Sequence, residues 1–225
     1  GTCVADNAEI TKNLLEMYGR DDWILRRNFR VFLRRTGLSA LPRDAPILDL
    51  GCAMGHLILL LQREGFRSVT GLDAAPEMVE AARRLTGAEI LLGDATACDR
   101  LAPAGAFDAV IVSDLVHHID QEAGWDALLG ACWTVLRPGG LLALREPWPT
   151  LALRLLYWMS RYRIFYVGPL RARLQSFVDE DRLLRHFFAH WPGTYRERLA
   201  RHGFLVTADE SALVHRLTSC RKGAA

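Results

Sequence analysis

The stretch Ile47-Leu48-Asp49-Leu50-Gly51-Cys52-Ala53-Met54-Gly55-His56 decides how this chain is read. An apolar run contains an acid, small residues follow two and six positions after it, and a helix-like run extends from His56 to Gln62. This pattern predicts a buried strand, a tight turn and a helix whose first turn faces a ligand. Gly51 and Gly55 permit backbone angles and a close approach that a Cβ would block. Asp49 places negative charge at the strand end, which suits an amine-bearing or cationic ligand better than a pyrophosphate. A dinucleotide turn needs G-x-G-x-x-G, and His56 stands where the third glycine belongs, so that reading fails.

Further segments repeat the motif of a strand ending in an acid. Val69-Thr70-Gly71-Leu72-Asp73 ends 24 residues after Asp49, and a carboxylate there can accept hydrogen bonds from a ribose diol. Ile90-Leu91-Leu92-Gly93-Asp94-Ala95 predicts a third strand, Phe107 to Asp114 a fourth, and Leu136 to Leu144 a helix end, a Pro138-Gly139-Gly140 turn and a fifth strand. Strands alternating with helices imply a parallel sheet covered on both faces. Such sheets bind ligands beyond the carboxyl ends of their strands, where Asp49, Asp73, Asp94, Ser113 and Asp114 fall.

Over roughly residues 45 to 146 these segments resemble the class I S-adenosylmethionine (SAM) dependent methyltransferases, whose first motif is D/E-x-G-x-G-x-G. Ala53 departs from the family's middle glycine. The resemblance implies a Rossmann-like α/β fold with a seven-stranded, mostly parallel sheet and helices on both faces. It implies one domain over residues 1–225, with an N-terminal helical cover (1–44) and a helical insertion after the fifth strand (147–202). It also implies SAM as cofactor, held by Asp49, Gly51, Ala53, Gly55, Asp73, Ala74, Asp94, Ala95, Ser113 and Tyr18, with Asp94 near the adenine amino group.

The reacting end is expected after the fourth strand, at Ser113-Asp114-Leu115-Val116-His117-His118-Ile119. A His-His pair at this point is similar to small-molecule members of the family. The segment lacks the N/D-P-P-Y/F form used on adenine or amide nitrogens, which counts against DNA. His117 or His118 can serve as a general base, because imidazole titrates near neutral pH; equally, either can pack against the cofactor or cap the next helix. Asp114 and Glu146 are rival acids at strand ends. No carboxylate cluster for a metal can be assembled, so none is expected.

The 225 residues, half of them hydrophobic, fit one α/β domain. The five cysteines (Cys3, Cys52, Cys98, Cys132, Cys220) are scattered without a C-x-x-C, as in a reducing compartment and unlike a zinc site. No 18-residue apolar run and no basic-then-apolar start occurs, so a cytoplasmic location is expected. The net charge of +2 conceals an asymmetry: residues 1–144 carry 14 Lys+Arg against 19 Asp+Glu, and residues 145–225 carry 14 against 7. The basic part is either a set of solvated helix faces or a surface for an anionic substrate, lipid headgroup or RNA.

Ala8 to Thr36 predicts helix, with Trp23, Ile24, Arg27 and Val31 on one stripe and Gly37 as its stop. Tyr18, Trp23 and Arg27 either pack or touch the cofactor. Asp120 is a candidate cap for the helix through Leu136, and Asp179 for a helix in the insertion. The insertion aligns Leu151, Leu155, Trp158, Met159, Tyr162 and Phe165 on one helical face, with Arg154, Arg161 and Arg163 elsewhere. That face is core, a lid over an apolar substrate, or a membrane contact. Phe204 to Thr207 and Ala212 to Thr218 predict a closing antiparallel pair of strands. The function expected is methylation of a small, largely apolar or aromatic metabolite in secondary, quinone or lipid metabolism. An RNA methyltransferase, or a SAM-fold protein without methyl transfer (a cyclase or partner subunit), are the alternatives.

Overall fold

The computed structural model describes residues 23–119, 121–162, 174–175, 178 and 181–223. Tyr18, Asp120, Arg163, Phe165 and Asp179 lie outside these residues. Element order is α1 (Trp23–Arg35), β1 (Ile47–Leu50), α2 (His56–Arg63), β2 (Val69–Asp73), α3 (Pro76–Thr86), β3 (Glu89–Leu92), β4 (Phe107–Ser113), α4 (Glu122–Val135), β5 (Leu136–Pro147), α5 (Leu151–Met159), α6 (Asp181–Arg201), β6 (Phe204–Ser211) and β7 (His215–Lys222). Short 3₁₀ turns occupy Leu38–Ala40, Ala95–Arg100 and Val116–His118.

The sheet order is β3-β2-β1-β4-β5-β7-β6. The first five strands run parallel and β7 is antiparallel to both its neighbours. Central strands β1 and β4 are apolar almost throughout because both of their faces are covered. The period of two separates the layers. Leu48, Leu50, Val110 and Val112 face α4 and α6 through Trp125, Leu129, Phe187 and Trp191. Ile47, Ala109 and Ile111 face α1, α2 and α3 through Phe32, Ile58 and Val79. After β3 the chain returns to the other side of β1, so the order switches between β1 and β4 and opens a crevice at their carboxyl ends.

The antiparallel end is tied down at one carboxylate. Asp209 on β6 accepts hydrogen bonds from Tyr195 and Arg196 of α6 and from Arg216 and Thr218 of β7. Burial raises its carboxyl, but the bonds from Arg216, Tyr195 and Arg196 outweigh this and hold it well below the usual carboxylate range.

Local details depart from the sequence reading. The inward face of α1 is Phe29, Phe32 and Leu33, while Arg27 is exposed. Helix α4 starts after Gln121, with no side-chain cap, and passes straight into β5 at Leu136, so Pro138 to Gly140 lie within β5. The pairing jumps there from Phe107↔Leu136 to Ala109↔Leu141, a bulge that absorbs the extra residues. Ala212 to Val214 are turn rather than strand, because the Ala212 N–H bonds the His215 carbonyl at 2.8 Å and closes the hairpin early. The described insertion helices are α5 and α6, and the apolar stripe of α5 faces away from the sheet rather than into the core. Leu151, Leu155, Trp158 and Tyr162 are 87%, 57%, 48% and 47% exposed.

Candidate active site

The turn after β1 is built on backbone angles that favour glycine. Gly51 and Gly55 have φ of 69° and 84°, and Ala53 adopts φ 45°. A Cβ on Gly51 would sit 2.8 Å from the Leu115 side chain, and one on Gly55 would sit 2.9 Å from Thr86. The glycines therefore let the turn pack against its own protein neighbours. Ala53 is held in its unusual conformation by its N–H, which donates to Asp73 Oδ2 at 2.8 Å. The other oxygen of Asp73 accepts from the Ala75 N–H at 3.0 Å. One carboxylate thus joins the two ligand-facing turns, and each of its oxygens keeps a lone pair for a further donor. Cys52 is buried, and burial first, then the charges of Asp49 and Asp73, push its thiol far up, so it packs and does not react.

A cleft of about 140 Å³ lies over this carboxylate, lined by residues that include Gly51, Asp73, Ala74, Asp94, Ala95 and Leu115. Asp94 caps the 3₁₀ turn through the Thr96 N–H at 2.8 Å and remains exposed to the cleft side. Asp49 is 2% exposed and its Oδ2 has no hydrogen-bond partner. Burial first, and the nearby charge of Asp73 second, raise its carboxyl to about 8. An unsatisfied buried carboxylate beside an open turn fits a ligand that brings a cation or N–H donors.

The second half of the site is the Val116–His118 turn. The Trp125 indole of α4 anchors it by donating to the Val116 and Ile119 carbonyls at 3.1 and 3.0 Å. Glu146, at the end of β5, accepts the N–H groups of Leu115 and Val116, both at 2.9 Å, and meets His117 Nδ1 at 2.9 Å. His117 and Glu146 are buried. His118 is exposed, its ring 4.2 Å from that of His117. Asp114 adopts φ 55°, pairs with Arg145 and lies 3.1 Å from His215 Nε2. Ser113 joins the same group through Arg145 at 3.2 Å. Sequence reading missed Trp125, Arg145 and His215. Arg145-Glu146 ending an apolar strand was a signal for the second, but only strand pairing brings His215 across to Asp114.

Among the described residues no group of three or more His, Cys, Asp or Glu is placed to hold a metal ion. No helix among them is long and apolar enough to cross a membrane. Most described arginines of the basic C-terminal part are engaged with acids: Arg145 with Asp114, Arg185 with Asp181, Arg196 and Arg216 with Asp209, Arg198 with Glu122 and Asp126, and Arg201 with Asp126.

A 3-2-1-4-5-7-6 sheet with a small-residue turn after β1 and an acid ending β2 defines the class I SAM-dependent methyltransferase fold. Residues 47–140 match the family described as "Methyltransferase domain", and this stretch is similar to the class I SAM-dependent methyltransferases. It is 37% identical over 146 residues to a ubiquinone biosynthesis O-methyltransferase of Methylocella silvestris, covering 56% of this chain and 48% of that protein. It is 36% identical over 146 residues to a demethylmenaquinone methyltransferase of Thermus thermophilus, covering 61% of this chain and 65% of that one. These matches span between about half and two thirds of the relatives' length. A solved structure, the PH0226 protein of Pyrococcus horikoshii, superposes with a TM-score of 0.68 at 19% identity, covering 95% of this chain and 98% of that one, a likeness of fold.

Proposed function

We propose that this chain methylates an oxygen of a small, largely apolar aromatic metabolite of quinone type, with SAM as methyl donor. The observation that carries this reading is the buried His117–Glu146 pair, whose ring contacts an exposed imidazole, His118, in the turn between Leu115 and Ile119, which line the cleft. The names of the quinone-pathway relatives support the substrate class.

The residues present fit the cofactor. Asp73 would take the ribose hydroxyls on its remaining lone pairs, Asp94 and Ala95 would meet the adenine, and Ala74 and Ser113 would border the site. Asp49 would receive the amino group, supplying the partner its buried oxygen lacks. Gly51, Ala53 and Gly55 shape the turn under it. When bound, SAM supplies an electrophilic methyl group on a sulfonium sulfur.

His118 would accept the acceptor's hydroxyl proton. A base must reach its proton, and His118 is the more exposed of the pair. His117 and Glu146 would position it, and Asp114 would orient the acceptor together with Arg145. These residues contribute orientation, water exclusion and proton removal.

The test is a calorimetric titration of SAM into the wild type and into Asp73→Ala, with folding checked by circular dichroism, followed by methyl-transfer assays on phenolic quinone precursors. Micromolar binding that the variant loses, with transfer to a phenol, is expected. A folded wild type that binds no SAM sinks the reading; binding without transfer to any phenol overturns the acceptor class.

A further inference from the structure

We propose that the outward face of α5 is a docking surface for an anionic lipid bilayer. Residues on a helix advance by about 100° each, so Leu151, Leu155, Trp158 and Tyr162 fall on one narrow stripe, with Tyr162 in the turn just past the helix end. Leu153 and Ser160, on the opposite side, are buried at 3% and 6% exposure. The helix is therefore seated on the protein by one face and presents a continuous apolar stripe on the other. Leu213, 76% exposed, belongs to the same corner, because Thr150 at the start of α5 donates its hydroxyl to the Leu213 carbonyl at 2.7 Å.

Charge selects the occupant. Residues 151–162 contain no acid, while Arg154 and Arg161 are exposed along one edge of the stripe. The rings of Trp158 and Tyr162 meet in a tilted contact at 5.0 Å, and such rings favour the boundary between headgroups and acyl chains. An apolar face edged by arginines and aromatic rings is the pattern of helices that lie in the bilayer interface, with long cationic side chains reaching outward to the headgroups. A second copy is the poorer occupant, since a two-fold contact on this face brings arginines of like charge together.

The surface adjoins the candidate site. Two residues beyond Leu213, His215 is bonded to Asp114, and β5 leads from Arg145 and Glu146 into α5. Docking here would set the acceptor end of the cleft against the lipid, which rests on the apolar-acceptor reading above; the binding itself does not.

The test is flotation of the 225-residue chain with vesicles of phosphatidylcholine, with and without phosphatidylglycerol. We expect at least tenfold stronger partition onto the anionic vesicles, weakened in high salt. Leu151→Glu combined with Leu155→Glu should lower partition about tenfold or more, with thermal stability and SAM affinity unchanged. Arg154→Gln with Arg161→Gln should remove most of the preference for anionic lipid. Failure of the folded wild type to float, or flotation unchanged in the Leu→Glu variant, overturns the proposal. So does a substitution that changes oligomeric state or melting temperature, which would mean that protein covers this face. Loss of SAM binding with flotation intact would strike the proposed function and leave the docking surface standing.

Discussion

Glu146 holds a histidine side chain and the backbone that leads to it with one buried carboxylate: Oε2 meets His117 Nδ1, and Oε1 accepts the N–H groups of Leu115 and Val116. The bond fixes Nδ1 as the protonated nitrogen and so sets the tautomer of the ring. Glu146→Gln keeps the shape, but its amide can present N–H to Nδ1 and reverse that tautomer. Loss of charge-assisted bonds in a buried setting should cost about 1–3 kcal/mol in urea unfolding. The methyl-transfer rate should fall by more than the stability loss explains.

His118→Gln should lower kcat for a phenolic acceptor by roughly 10²-fold or more, the usual contribution of a positioned general base, while leaving SAM affinity intact. The loss should shrink at high pH, where the phenol ionises unaided. A pH–rate profile of wild type and variant measures this. A variant with normal kcat at neutral pH would assign His118 to packing alone.

Asp49 makes apo stability fall as pH rises. Its carboxyl titrates at about 8 in the fold and near 4 in the unfolded chain, so between these values only the folded state holds the proton. Stability from this group is complete below about pH 4, is lost progressively up to about pH 8, and is flat above. Asp49→Asn should remove that slope and stabilise the apo protein at pH 8 by of the order of 2–5 kcal/mol, while weakening SAM binding. Melting temperatures from pH 5 to 8.5 measure the slope; equal slopes in both proteins would refute the assignment.

Gly55 and Gly37 separate the two costs of adding a Cβ. Both have positive φ, 84° and 82°, but only at Gly55 would the new atom meet neighbours. Gly37→Ala should cost about 1 kcal/mol for the backbone alone, and Gly55→Ala about 2–3 kcal/mol once the contact with Thr86 is included. Denaturant unfolding of the pair gives the difference directly.

The chain from Ile47 to Leu144 was legible because apolar runs, acids and small residues recur at strand ends, and a parallel sheet forces those ends to one edge. The same logic located Asp49, Asp73 and Asp94 before any coordinates. It could not show that Asp73 clamps the Ala53 and Ala75 N–H groups, since that depends on the path of two turns. Nor could it separate His117 from His118, because burial there is decided by Glu146 and by Phe187 on a helix about 70 residues away. The stripe on α5 left three readings open for a simple reason: periodicity gives the face of a helix but not which side the protein occupies.

The four side chains gathered on Asp209 join α6, β6 and β7, and β7 carries His215 to Asp114. Breathing of the carboxyl end of the chain is therefore collective. Amide protons of these three elements should exchange together, at one rate, as a single cooperative block, and the block should hold under acid that already neutralises ordinary surface carboxylates.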